Sequence, residues 1–227
     1  MALADKIVII DLSPVDALPE PQLQMADQLR LSALGHDRRR AEFIAGRALL
    51  QRHGLDVLRY DVEGKPWSVD GRPFSLSHSR GWLALALADD EAALGIDLEF
   101  PKPGRDLHAL LERCLQVDDH AWQQATSAAR EQLFYLAWVV REAAAKADGR
   151  GLVWSFSALR LRGGWSVAGQ PWLVVQAPMA LQLWAWQLAS GHYLGGARLA
   201  AGSAPAPVLQ LPAAQDARLL WHGSAGH

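Results

Sequence analysis

Two acidic residues two positions apart, Asp97 and Glu99 in "LGIDLEF", stand in an apolar run, and a later stretch, "WVVREAAAK", carries Arg141, Glu142 and Lys146. Strand side chains alternate, so both carboxylates point to one face. The flanking Leu94, Ile96 and Phe100 argue against a solvated face there. On a helix, Glu142 and Lys146 are i and i+4 neighbours, with Trp138 one turn earlier on the same side. A surface ion pair would account for the helix charges, yet "FYLAWVV" is apolar on every side and predicts a buried helix. A buried carboxylate is costly unless a positive group meets it. Carboxylates from a strand and a helix, with lysine and arginine close by, suit a hard cation. Magnesium prefers oxygen ligands, takes few protein carboxylates and fills its octahedron with water and substrate phosphate.

Two further segments point to a phosphate. "EGKPW" puts Lys65 at the tip of a turn where Pro66 fixes the backbone, and "FSLSHS" gathers Ser77, His78 and Ser79 at a strand end. Taken singly, His78 is more often a hydrogen-bonded structural histidine and Lys65 more often a solvated turn residue.

The elements that must position these residues follow from periodicity. Residues 6–12 form a β-branched strand run, and helical patterns follow at 22–34 and 37–53, with Gly54 as the stop. Residues 58–100 alternate apolar and polar positions between turn signals at Glu63-Gly64, Asp70-Gly71 and Arg80-Gly81, which predicts a meander of short strands. After the linker "PKPGRD", helical material spans 107–147, broken near Thr126-Ser127 and ended by Gly149 and Gly151. A second strand-rich region covers 155–200, and the tail after Gly202 reads as irregular. Helices followed by strands thus occur twice, and "SGHYLGGARLA" resembles "SRGWLALALAD" in pattern. The expected fold is α+β, built of two similar lobes about a pseudo-two-fold axis: residues 1–100, residues 101–201 and a tail, 202–227. A ligand site is expected in the crevice between the lobes.

The bulk of the chain sets limits. Its 227 residues, 50% hydrophobic and 20% charged, can bury a sizeable core, and a net charge of -2 with dispersed arginines speaks against nucleic acid as partner. The single cysteine, Cys114, excludes an internal disulfide framework and a multi-cysteine zinc site, fits a reducing cytoplasm and reads as a small buried residue. No run approaches the ~20 apolar residues of a membrane span, so the expectation is a cytoplasmic protein with no membrane partner.

In combination the segments resemble the 4'-phosphopantetheinyl transferase superfamily, in its long, pseudo-dimeric type that activates peptide and polyketide synthetases. The family signatures, approximately (V/I)-G-(V/I)-D-x-E and (F/W)-(S/T/C)-x-K-E-(S/A)-x-x-K, are matched by residues 94–99 and 138–146, followed by "ADGRGL", with the Gly-Lys-Pro and Ser-His-Ser elements in order. The resemblance implies transfer of 4'-phosphopantetheine from coenzyme A to a serine of an acyl or peptidyl carrier protein. It places magnesium, with manganese as an alternative, on Asp97, Glu99 and Glu142. It sets Lys65, Ser77 and His78 on the coenzyme A phosphates, with Arg40, Arg47 and Arg141 as further contacts. Lys146 falls near the pyrophosphate, where it could also protonate the leaving group, and Glu142 is the candidate base. The long form implies a monomer, and the helical segment 107–125, with Arg105 and Arg113 nearby, is where an acidic carrier would dock. Two residues depart from the signature, Val139 for a small polar residue and Arg141 for lysine. Arginine keeps the charge but cannot give up a proton. The competing readings are a magnesium-dependent phosphohydrolase and a non-catalytic coenzyme A-binding or carrier-docking module.

Overall fold

The apolar run near the amino terminus forms β1 (Val8–Pro14), and the computed structural model describes residues 8–60, 66–88, 90–199, 207–213 and 215–225. Two helices follow, α1 (Met25–Ala33) and α2 (Asp37–Arg52), then the meander as β2 (Leu58–Tyr60), β3 (Pro66–Ser68), β4 (Phe74–Ser79), β5 (Trp82–Ala88) and β6 (Leu94–Glu99). The helical stretch divides into α3 (Leu107–Cys114), α4 (Asp119–Gln124) and α5 (Ser127–Asp148). Each starts on a side-chain cap that satisfies otherwise unpaired amides: Asp106, Asp118 and Thr126 respectively. Gly149, in the left-handed region at φ 85°, ends α5. A short α6 (Leu152–Ala158) leads into β7 (Arg160–Trp165), β8 (Pro171–Gln176), β9 (Leu181–Leu188) and β10 (Tyr193–Leu199).

The fold is mixed α+β. One four-stranded sheet has the strand order β11-β1-β5-β4 and the other β12-β9-β10-β6, where β11 is Val208–Gln210 and β12 is Ala217–Ala225, while β2-β3 and β7-β8 form two-stranded sheets. The expectation of an irregular tail is therefore corrected: residues after 206 supply an edge strand to each four-stranded sheet. Their composition, rich in Ala, Pro and Gln, hides this because β11 runs parallel to β1 and β12 lies along β9, so pairing rather than propensity makes them strands. β6, though it falls within residues 1–100, hydrogen-bonds to β10 in the second sheet. The two sheets share one apolar core, in which Ile10, Leu12, Ala84 and Ala86 of the first meet Leu94, Ile96, Leu98, Trp184 and Trp186 of the second. Among the described residues no helix is long and apolar enough to cross a membrane.

The long helix α5 lies directly on β6 and β10, and two glycines make that possible. A Cβ on Gly95 would sit 1.8 Å from the Ala143 carbonyl oxygen, and one on Gly195 would sit 2.3 Å from the Val139 carbonyl oxygen. Helix backbone cannot yield by that much, so any side chain at either position would push α5 off the sheet. Val139, Ala143 and Ala147 form the i, i+4, i+8 stripe that faces the glycines, all buried. Gly95→Ala is therefore expected to lower stability by on the order of 3 kcal/mol or more, or to prevent folding. Gly35→Ala, where a Cβ meets nothing within 4 Å, should stay within about 0.5 kcal/mol of the parent. Denaturant unfolding of both variants checks this, and a tolerated Gly95→Ala would contradict the packing argument.

Candidate functional site

The site is built where β6 passes over the face of β4 and β5. The alternation in "FSLSHS" sends Phe74, Leu76 and His78 toward α2, where Phe74 and Leu76 pack with Ala45, Leu49 and Leu50, and sends Ser75, Ser77 and Ser79 toward β6. Their cross-strand neighbours Ala86 and Ala84 are also small, so β6 can come close. The joint is made by side chains rather than by a backbone ladder. The Ile96, Leu98 and Phe100 amides donate to Ser75, Ser77 and Ser79 Oγ at 3.0, 3.2 and 3.0 Å. Amides on the edge of a buried strand need acceptors, and a hydroxyl can accept and still donate onward.

Ser77 does donate onward, to Asp97 Oδ1 at 3.1 Å. Lys146, reaching in from α5, donates to Ser77 Oγ at 3.0 Å, to Asp97 Oδ1 at 2.9 Å and to the Ile96 carbonyl at 2.9 Å. All three ammonium protons are thus engaged. Asp97 Oδ2 is buried and has no hydrogen-bond partner among the described residues. Glu142, one helical turn before Lys146, and Glu99, two residues beyond Asp97, complete an acidic group. Burial, and after it the Asp97 charge, pushes the Glu142 carboxyl up to about 7 against the pull of Lys146. Glu99 is raised by the same two causes in the same order, with Lys102 and Arg105 opposing.

Among the described residues no three carboxylate, imidazole or thiol groups converge tightly enough to hold a metal as they stand. The donor set nevertheless fits a hard divalent cation. Asp97 keeps an unpartnered buried oxygen, the carboxylates disfavour one another's ionisation, and among the described residues Lys146 is the only cation bonded to Asp97.

Two cavities border this cluster. One of about 330 Å³ is mostly apolar, lined by Pro66, Phe74, Leu76 and Leu94 together with Glu142 and Lys146. The other, of about 590 Å³, is lined by Arg38, Arg39, Glu42, His78, Arg80 and Lys102, with Glu99 at its inner wall. Successive positions of β4 and β6 line first one cavity and then the other.

The expected site residues are sorted by this geometry. Asp97, Glu99, Glu142 and Lys146 come together, and His78 lines the basic cavity, its Nδ1 3.3 Å from Glu42 Oε2. Ser77, expected on a phosphate, is buried, and its one proton and both lone pairs are already used within the seam. The arginine expectations are corrected. Arg47 is buried and pairs with Asp27 at 2.7 Å, and Arg40 donates to the Leu31 carbonyl at 2.6 Å. The helical phase of α2 turns Arg38 and Arg39 to the cavity instead, which the run "DRRR" signals without revealing the phase. Arg141 is buried on another side of α5, donating to the Cys114 carbonyl at 2.7 Å and to the Ser155 carbonyl. It ties α5 to α3 and α6 and is not free for a phosphate. Lys65 lies outside the described residues. The sequence reading missed Arg38, Arg39, Glu42, Arg80 and Lys102.

Comparison with known proteins gives a consistent result. Residues 93–200 match the family model of the 4'-phosphopantetheinyl transferase superfamily. The chain is 36% identical over 121 residues to the 4'-phosphopantetheinyl transferase AcpT of Salmonella typhi, covering 51% of this chain and 62% of that protein. It is 30% identical over 161 residues to the 4'-phosphopantetheinyl transferase HetI of Nostoc sp., covering 61% of this chain and 67% of that protein. With psf-1 of Bacillus pumilus, also a 4'-phosphopantetheinyl transferase, identity is 33% over 109 residues, 47% of this chain and 45% of that protein.

The strained acidic group has a measurable signature. The folded-state value of Glu142, about 7, lies above its ordinary value of 4.5. Its stabilising effect is fully present below 4.5 and is lost as pH rises through 7, because the folded state must then carry the extra charge. Metal-free Glu142→Gln should therefore melt higher than the parent at pH 8, by roughly 2–4 °C after allowance for partial exposure, with the gain fading toward pH 5. A pH-independent difference in Tm would contradict the carboxylate crowding.

Proposed function

The chain belongs to the 4'-phosphopantetheinyl transferase superfamily, and from that premise we propose that it moves the 4'-phosphopantetheine group of coenzyme A onto a serine of an apo acyl or peptidyl carrier protein. The serine Oγ attacks the β-phosphorus. A phosphodiester forms, the pyrophosphate P–O bond breaks, and adenosine 3',5'-bisphosphate leaves. The carrying observation is the pairing of a basic and an apolar cavity at one acidic cluster. Such a pair suits a ligand that is polyphosphorylated at one end and a neutral, flexible arm at the other. In this reading the nucleotide phosphates face Arg38, Arg39 and His78, and the pantetheine arm enters between Phe74, Leu76 and Leu94.

Asp97, Glu99 and Glu142 would hold magnesium, with manganese as a substitute. The ion supplies charge neutralisation to the pyrophosphate. Lys146 is fixed by three acceptors, so its charge is presented without reorganisation, which is what phosphoryl transfer asks of a protein. Glu142 takes the serine proton, directly or through a water. Arg141 supports α5 from behind rather than touching substrate. We place the reaction in the cytoplasm and read the chain as a monomer, since every group assigned here comes from one chain. The helices α2 and α5, each laid against its own sheet, support two lobes related by a pseudo-two-fold axis, with the site in the cleft between them.

Intact-mass analysis of apo carrier proteins incubated with this protein, coenzyme A and magnesium tests the reading. A gain of one phosphopantetheine that a chelator abolishes is expected, and Glu142→Gln should slow it by about 10²-fold or more with the fold intact. Coenzyme A cleavage without any carrier would indicate a phosphohydrolase. Unmodified carriers with coenzyme A bound and intact would indicate a binding module. Either result would overturn the transferase reading.

A further inference from the structure

The hairpin between β4 and β5 closes through two residues, Arg80 and Gly81, with φ of 45° and 84°. Positive φ at both positions is the requirement of the tight turn whose twist matches a hairpin, and Asn-Gly or Gly-Gly meet it with the least strain. Arginine is a poor choice at the first position, because its Cβ crowds the backbone in the left-handed region. Among the described residues it is the one non-glycine residue held there. Residues in such conformations concentrate at ligand clamps and active sites.

The Arg80 side chain shows what the turn presents. Its guanidinium lies 4.5 Å from the Phe100 ring centroid, and Phe100 is in turn packed edge-on by His192, whose Nε2 lies 3.0 Å from the Ser79 carbonyl oxygen. The arginine is thus aimed from a fixed platform into the basic cavity, whose other cations are Arg38, Arg39 and Lys102, with the His78 imidazole beside them. The cavity's carboxylates do not balance them: Glu42 is taken up by Arg38 at 2.9 Å and lies 3.3 Å from His78, and Glu99 belongs to the acidic cluster. Cations that converge on a strained turn, with no carboxylate paired to Arg80 among the described residues, are arranged for an anion.

The geometry points to Arg80 as a ligand-contacting residue: its guanidinium binds a phosphate group of the substrate, and the turn tolerates a left-handed arginine to place it there. This rests on the transferase reading for the identity of the ligand, coenzyme A, while the anion site stands on Arg80 and its cavity alone.

The test sets fold against binding. Tm and calorimetric Kd for coenzyme A and for inorganic pyrophosphate are measured on the parent, Arg80→Asn, Arg80→Gly and Arg80→Lys. Arg80→Asn and Arg80→Gly should melt higher than the parent and bind both probes roughly tenfold more weakly or worse, as loss of a charge-assisted bond implies. Arg80→Lys should keep part of the affinity and show no gain in Tm. Unchanged Kd with a raised Tm would overturn the inference, leaving only a strained turn. Weaker binding with a lowered Tm would also overturn it, by making Arg80 a support of the fold. A parent that binds pyrophosphate through Arg80 but ignores coenzyme A would sink the transferase reading and uphold the anion site.

Discussion

The structure depends on where Lys146 puts its charge. The ammonium spends its protons on Ser77, Ile96 and Asp97, so one side chain from α5 joins β4 to β6 and is, among the described residues, the only cation bonded to Asp97. Buried carboxylates need such a partner, since removing a charge from water costs far more than an exposed ion pair returns. One ammonium cannot neutralise three carboxylates. The remainder appears as the raised Glu142 and Glu99 and as the unpartnered oxygen of Asp97. The site is therefore built with an electrostatic deficit that the fold tolerates and a divalent cation would remove.

That arrangement is possible only because three layers approach unusually closely. Glycines let α5 rest on β6 and β10, and alanines and serines let β6 rest on β5 and β4. Small residues alone would leave the amides of β6 unsatisfied. The serine hydroxyls answer this, and at Ser77 the same hydroxyl that caps a strand amide also orients a carboxylate. Packing and chemistry are thus carried by one alternation of six residues.

Much of this was legible in the sequence, and the limits are physical. Spacing placed Asp97 with Glu99 and Glu142 with Lys146, because strand and helix periods are local properties. The break near Thr126-Ser127 and the glycine stops located α5, and turn signals located the hairpin of β4 and β5. What sequence could not show is which way a helix faces when its charges run in a block. "DRRRAEF" offers Arg38, Arg39 and Arg40 as equals, and only the packing of α2 on β4 and β5 separates the two that line the cavity from the one that holds the Leu31 carbonyl. The strands β11 and β12 were hidden for a related reason, as their partners lie far away in the chain and their own composition favours no structure.

The two departures from the family signature now have a common account. The residues of α5 around Glu142 divide among the sides of the helix. Glu142 and Lys146, one turn apart, face the acidic cluster and the cavity. Val139, Ala143 and Ala147 face the glycines of the sheet and are sealed from solvent, so an apolar Val139 suits a position where a polar group would have to find a buried partner. Arg141 points toward α3 and α6, where it bonds two carbonyl oxygens and lies over the Phe156 ring at 5.0 Å. A guanidinium serves that position better than an ammonium, because its fixed fork reaches two acceptors at once and its flat face packs on an aromatic ring. Both departures thus fall on sides of the helix turned away from the acidic cluster, and the side that faces it keeps the signature's glutamate and lysine.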